Sequence, residues 1–246
     1  MIPELGQAVL GLFDDHRTIR RFRADAIGED DRRALERAAQ RAPSGALVQL
    51  GTFIRITDPE LRETLTELSG GQPQVRQAPE FYVACIDVRR DQHLIEHRGS
   101  TFALSPRFTF LYGLLDVALM AANLATAAEA MGYGVCYIGA FQNRLDEVVR
   151  VLELPRGVLP VVGICAGRPE RPLPERRGRL SPDAVFMENR YRELDSDELE
   201  RCFRDMTHPK RSFDWFQALQ RYWCPNGLAA QREEVLRRVL AEQGFA

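Results

Sequence analysis

The longest uninterrupted apolar run in the chain covers residues 110–131, FLYGLLDVALMAANLATAAEAM. It is too long for a strand, and Ala, Leu and Met, which lose least on entering a helix, dominate it. Gly132 and Gly134 follow, where a helix C-cap is expected. Its polar members, Asp116, Asn123, Thr126 and Glu129, drift around the surface and leave the rest small or apolar. That pattern predicts a helix buried on most sides, whose alanines let a second helix or a second subunit approach closely. The length also suits a membrane span, but Asp116, Asn123 and Glu129 would each be costly in lipid and no second such run exists. A core helix is expected, with no membrane as a partner.

Around this run the pattern alternates. Residues 3–14 form an amphipathic helix with Leu5, Val9, Leu10 and Phe13 on one face. Asp30 and Asp31 open a helix to about residue 42, which Pro43-Ser44-Gly45 breaks. Residues 48–57 read as a strand, and Asp58-Pro59 as the cap and first position of a helix that stops at Gly70-Gly71. Residues 80–88 are apolar on both faces, which predicts a central strand, while 91–109 are polar and carry no clear period. Short buried strands are expected at 134–139 and 157–166, the first part of the latter at an edge because of Pro160. Asn143 is a candidate cap for a helix over 144–153. Residues 167–182 read as extended surface chain, and 183–246 as two or three amphipathic helices with a loop near 206–212. Strands alternating with helices predict an α/β or α+β sheet covered by helices.

The 246 residues suffice for one large domain or two small ones, and a net charge of −2 gives nucleic acid or an anionic membrane nothing to attract. The N-terminus lacks the basic segment of a secretory signal. The five cysteines are odd in number, form no CxxC, and in three cases (Cys85, Cys136, Cys165) sit in strand-like runs, so reduced thiols and a cytoplasmic protein are expected. Of the 33 basic residues, Lys210 is the only lysine, so a single arginine carries little information here.

Dinucleotide-fold, P-loop and nucleophile-elbow signatures are absent. HLIEH at 93–97 would place His93 and His97 on one helix face, as in some zinc peptidases, but its short polar flanks favour a solvated face, and no metal is expected. HRTIRRFR at 16–23 is stronger: four guanidinium groups within eight residues repel one another unless an anion joins them, and Arg forks suit phosphate. RRGR at 176–179 is a second basic cluster. Ser44, Gln49 and Gln72 lie at turns where amide and hydroxyl groups can read the edge of a polar heterocycle. Gly139, in Tyr137-Ile138-Gly139-Ala140, would let backbone N–H groups approach a flat ligand.

These signals fall in a familiar order. His16-Arg17-Thr18-Ile19-Arg20 matches an HRSIR motif, Ser44 and then Gln49 a serine-rich turn followed by Gln, and Ser69-Gly70-Gly71-Gln72 a TGGQ stretch. Gly134 to Ala140 matches GVYIGG, and Leu154 to Pro169 matches LPxxVLPxxGxCxGxP. Over about residues 5–192 the chain resembles the nitroreductase family of flavoproteins, in particular the branch of oxygen-insensitive NADPH nitroreductases and NADPH–flavin oxidoreductases. The resemblance implies an α+β fold, with a central mixed, mostly antiparallel sheet covered by helices, in an interlocked homodimer. It implies a core over 1–192 and a C-terminal helical arm over 193–246 that packs on the core or on the partner subunit.

It further implies FMN held at the dimer interface: by His16, Arg17, Thr18 and Arg20 at its phosphate, ribityl chain and pyrimidine edge; by Ser44, Gln49 and Gln72 along the ring; and by the backbone of Ile138, Gly139 and Ala140. The family's Lys-Pro-Arg segment falls on Arg177-Gly178-Arg179, which puts Arg177 and Arg179 in the site. Lys210 and Arg211 fall where the branch recognises the phosphate of NADPH, although Gln142 stands where the branch carries an arginine, so NADH is the alternative donor. The implied activity is ping-pong hydride transfer from NAD(P)H to nitroaromatics, quinones or free flavin, with no indispensable catalytic side chain. The alternatives are a flavoprotein of the same fold with another reaction and a non-catalytic flavin-binding protein.

Overall fold

The computed structural model describes residues 2–207 and 213–246. They divide into two compact units, Met1–Pro174 with Arg232–Ala246, and Glu175–Gln231. The division falls at 174 and 231, not at 192, because the end of the chain returns to the first unit and buries Val239 and Phe245 in its core.

In the first unit, α1 (Glu4–Asp14) precedes α2 (Glu29–Gln40), whose first turn carries Glu29, Asp30 and Asp31 where the helix dipole favours acids. Strand β1 (Gly51–Arg55) is shorter than the apolar run around it. Helix α3 (Pro59–Leu68) starts as its sequence predicts: Asp58 accepts from the N–H groups of Glu60 (2.8 Å) and Leu61 (3.0 Å), and Pro59 stands at the first helical position. A short α4 (Pro73–Gln77) leads into β2 (Glu80–Asp87). The polar stretch after it contains α5 (Arg89–His97), which has no buried residue, so His93 and His97 lie on a solvated helix.

Helix α6 (Pro106–Ala130) ends in a Schellman arrangement: Gly132 is left-handed (φ 79°), and the N–H of Tyr133 reaches the carbonyl of Ala128 (2.9 Å). Strand β3 (Gly134–Ile138), α7 (Leu145–Val151) and β4 (Val158–Gly167) follow. Asn143 does not cap α7; its Oδ1 accepts from Arg232 (2.6 Å), a contact made across 89 residues. The second unit holds α8 (Ser196–Met206) and α9 (Trp215–Trp223), and α10 (Leu228–Gln243) carries the chain back into the first.

The four strands form one sheet in the order β1-β2-β4-β3, every pair antiparallel. A parallel bridge from Thr18 to Val135 adds the mixed character at the β3 edge. Strand β2 lies inside the sheet and is buried from Glu80 to Ile86, as an apolar run without alternation requires. Pro160 sits at a bulge opposite Cys85, in the half of β4 beyond the reach of β3, so its missing N–H costs no ladder bond on that side.

Helix α6 packs against all four strands and α2. It is the one helix among the described residues with the length and hydropathy of a membrane span. One stripe, including Gly113, Val117, Ala121, Leu124 and Ala128, is buried on the sheet. The opposite stripe, Phe108, Leu111, Leu115 and Leu119, stays exposed, with Leu115 at 53%. The apolar residues of α1 (Leu5, Val9, Leu10 and Phe13) are exposed too. Both helices therefore carry apolar faces that this single chain leaves uncovered.

Candidate functional site

The basic segment before α2 is held as an extra strand. The N–H of Ile19 donates to Val135 (2.8 Å) and that of Arg23 to Arg168 (2.8 Å), which lays residues 18–23 along β3 and the end of β4. Ile19 and Phe22 anchor it in the core, and Arg20 remains exposed. His16 is fixed from below: its Nδ1 lies 2.7 Å from Glu129 Oε1 on the last turn of α6. Arg17 pairs with Asp15 (3.2 Å) and donates to the carbonyl of Pro174 (3.4 Å). Arg20 makes no hydrogen bond or ion pair among the described residues; its charge acts on the Cys136 thiol, opposing the burial that raises that thiol. A cleft of about 320 Å³ opens here, lined by Thr18, Arg20, Arg21, Arg171 and one acid, Glu170.

Gln72 joins this group from the other side of Cys136. It follows Gly70 and Gly71, both left-handed (φ 74° and 70°), and donates to the carbonyl of Ser69 (3.0 Å) while its Oε1 accepts from Gln74 (2.5 Å). Gln74 in turn reaches the Cys136 sulfur (4.0 Å). Beyond Cys136 the strand ends at Ile138, Gly139 and Ala140. Gly139 has an ordinary backbone (φ −96°), and a Cβ built there would meet no atom within 4 Å. Neither the fold nor the packing demands glycine at this position, so its lack of a side chain keeps an approach to the backbone open.

Ser44 and Gln49 lie elsewhere. Ser44 donates to Asp116 Oδ2 (2.8 Å) and accepts from the N–H of Gln49 (2.8 Å). The buried Asp116 also accepts from Gly45 N–H (3.2 Å) and Leu50 N–H (2.9 Å), so a single carboxylate ties down the whole turn. Within it Ala46, Leu47 and Gln49 adopt left-handed φ of 50°, 60° and 53°, unusual for residues with a Cβ. Arg90 holds the other end, donating to the carbonyl of Gln49 and to Thr52 Oγ1 (2.9 Å). A cleft of about 550 Å³ runs between this turn, α5 and the middle of α6.

One chain thus ties Thr18 and Arg20, and through Gln74 also Gln72, to Val135 and Cys136 on the strand that ends at Ile138, while Ser44 and Gln49 are held on Asp116. Asp116 and Glu129, which anchor the two groups, are thirteen residues apart on α6, about 20 Å along the axis. Arg177 and Arg179 belong to the second unit, where the Arg177 guanidinium lies 4.8 Å from the centre of the Phe213 ring and Arg179 donates to the carbonyl of Gly178 (3.0 Å). Lys210 and Arg211 lie outside the described residues. The sequence did not single out Asp116 or Glu129 as supports of the site. The available signal was two carboxylates in an otherwise apolar helix, whose partners are 66 and 113 residues away at their nearest and farthest.

Comparison with known proteins identifies the family. The profile of the Nitroreductase family matches residues 14–168. An FMN reductase (NADPH) of Bacillus subtilis is 35% identical over 244 residues, 94% of this chain and 95% of the relative. An oxygen-insensitive NADPH nitroreductase of Salmonella typhimurium is 40% identical over 186 residues, covering 76% of this chain and 75% of the relative. Among solved structures, the NfrA1 nitroreductase of B. subtilis superposes with a TM-score of 0.85 at 32% identity, covering 96% of this chain and 98% of its own. An NADPH:FMN oxidoreductase from Vibrio harveyi complexed with NAD+ gives 0.80 at 29% identity, covering 96% and 97%. With the sheet order, the strand-like basic segment and the Gly139 strand end all falling inside the matched region, the chain belongs to the nitroreductase family.

Proposed function

We propose that this protein is an FMN-dependent oxidoreductase that takes two electrons from NADPH, with NADH as the alternative donor, and passes them to a nitroaromatic, a quinone or a free flavin. The observation that supports this reading is that Thr18 and Arg20 lie beside Val135 and Cys136, and Gln72 reaches Cys136 through Gln74, on the strand that ends just before Gly139, within a chain whose relatives are named for such activities. The donor set fits FMN. Thr18 and Arg20 offer a hydroxyl and a guanidinium fork to a phosphate dianion in a cleft that Arg21, Arg171 and one acid, Glu170, also line, and Arg20 makes no ion pair among the described residues. Gln72 and the backbone at Ile138, Gly139 and Ala140 offer amide groups beside a surface without a side chain.

When bound, FMN supplies the hydride chemistry. The protein's own part is orientation and charge. Glu129, holding His16 Nδ1, would leave Nε2 free to face the ligand. By the family resemblance, Arg177 and Arg179 are assigned to the flavin and Lys210 and Arg211 to the phosphate of NADPH. No side chain is asked to act as nucleophile or acid.

We infer a cytoplasmic homodimer. The uncovered apolar faces of α1 and α6 supply a contact surface, and the distance between the two anchors gives it a purpose. If two copies of α6 cross about a two-fold axis, Ser44 and Gln49 of the partner subunit come to the His16 end of the first. The ring would then lie between subunits, and a monomer would hold half a site.

The test is the visible spectrum of the purified protein, reconstituted with FMN and treated anaerobically with NADPH. Flavin bands that bleach are expected. Failure to retain FMN at all would overturn the proposal, and bands that persist with both NADPH and NADH would overturn its reductase part.

A further inference from the structure

We infer that His93 and His97 form a chelating site for one divalent transition-metal ion, Cu(II) before Ni(II) or Zn(II). The pair belongs to the HLIEH motif, which the flavin site leaves unused. Helix α5 runs from Arg89 to His97, so the two residues stand four positions apart on one regular helix. Side chains at that spacing share a face, with Cβ atoms about 5–6 Å apart. Metal–nitrogen bonds of about 2.0–2.1 Å hold two ligand nitrogens about 3 Å apart, a gap that imidazoles on neighbouring turns close by rotating toward each other. The same spacing makes two histidines the metal-binding pair of zinc-peptidase helices.

The surroundings leave both rings available. His93 and His97 are exposed, on a helix with no buried residue. Neither ring makes a hydrogen bond or ion pair among the described residues. Both line one open cleft of about 740 Å³, bounded across from the helix by Pro155 and Val158, so their side chains turn to the same side. The short polar flanks that argue against a buried catalytic metal are what open the rings to an ion from solvent.

Charge does not forbid the ion. Asp87 accepts from the N–H of Arg90 (3.1 Å) and pairs with its guanidinium (3.5 Å), which neutralises Arg90 at the cleft. Arg89 is a cation beside the site, and Glu96, three positions after His93 and next to His97, offsets it. Among the described residues no third histidine, cysteine or carboxylate completes a metal-holding group, so water fills the remaining positions. A site of two imidazoles and water follows the general affinity order of divalent ions, which places Cu(II) first. Each neutral ring gives one nitrogen lone pair, and no electron is transferred. The pairing rests on α5 alone and holds whatever occupies the flavin site.

The experiment titrates the full-length protein, with exposed Cys224 replaced (Cys224→Ser), with Cu(II)–iminodiacetate. The chelator leaves room for adjacent imidazoles and disfavours lone ligands. Calorimetry gives the affinity, and pulsed electron paramagnetic resonance counts the imidazoles on Cu(II). The expected result is one ion per chain carrying two imidazoles, with affinity falling at least about tenfold in His93→Gln and in His97→Gln, since each removes the second arm of the chelate. Adding Ile95→His to His97→Gln restores the number of histidines but puts the second ring across the helix, and affinity should stay low. One imidazole per ion in the parent protein, undiminished affinity in either single variant, or full recovery with Ile95→His would overturn the inference. No core contact is lost in these variants, and equal Tm without metal checks that each is folded.

Discussion

Replacing Asp116 with Asn is the sharpest perturbation this structure offers, because the change is nearly isosteric and leaves no cavity. Asp116 is 2% exposed and accepts three hydrogen bonds. Bonds to a charged acceptor are worth about 1.5–3 kcal/mol each, and neutral ones about 1. An Asn oxygen placed at Oδ2 keeps Ser44 and Leu50 but weakens each by about 1 kcal/mol. Its amide then faces the N–H of Gly45, donor against donor, which costs about another 1–2 kcal/mol. The sum is about 3–4 kcal/mol, or a fall in Tm of roughly 6–15 °C for a chain of this size. The turn it anchors holds three non-glycine residues in left-handed backbone, so relaxation there should displace Ser44 and Gln49. Urea unfolding of the apoprotein measures the first effect and FMN titration the second. Unchanged denaturation midpoints would refute the anchoring argument. A normal FMN affinity in a destabilised protein would instead show that the 44–49 turn has no part in the site.

Arg20→Ala removes an exposed guanidinium with no hydrogen bond or ion pair of its own, so Tm should move by less than about 2 °C while FMN affinity falls at least about tenfold, the worth of one charge-assisted contact; equal FMN affinity by fluorescence titration would remove Arg20 from the site. Leu115→Arg on the uncovered stripe of α6 should convert dimer to monomer in sedimentation velocity and abolish FMN retention, whereas an unaltered dimer would show that this face is not the contact. Burial pushes the Cys85 thiol up to about 12 and also raises Cys136, Cys165 and Tyr82. These groups keep their protons in the folded state, so their stabilisation is complete below the unfolded thiol value of about 8.5 and is lost as pH climbs toward the folded values. The urea midpoint should therefore fall steadily above about pH 9, and a flat profile to about pH 11 would contradict the burial of these groups.

The sequence by itself determined the elements whose causes are local. The Asp58-Pro59 start of α3, the stop of α6 at Gly132 and the unbroken burial of β2 each follow from a few consecutive residues. The ordered series of motifs from His16 to Pro169 was enough to identify the family. Tertiary structure decided what depends on distant partners. Residues 48–50 read as the start of a strand, yet they belong to a turn with left-handed Gln49, because a carboxylate 66 residues later accepts the N–H of Leu50. Asn143 reads as a cap, yet it serves Arg232 instead. Spacing along a sequence cannot show that Ser44 and His16 are tied to carboxylates about 20 Å apart on one helix, Asp116 and Glu129. Hydrogen bonds of short sequence separation leave a local signature in residue type; those that close across 66 to 113 residues leave only a lone polar group in an apolar run, as Asp116 and Glu129 do.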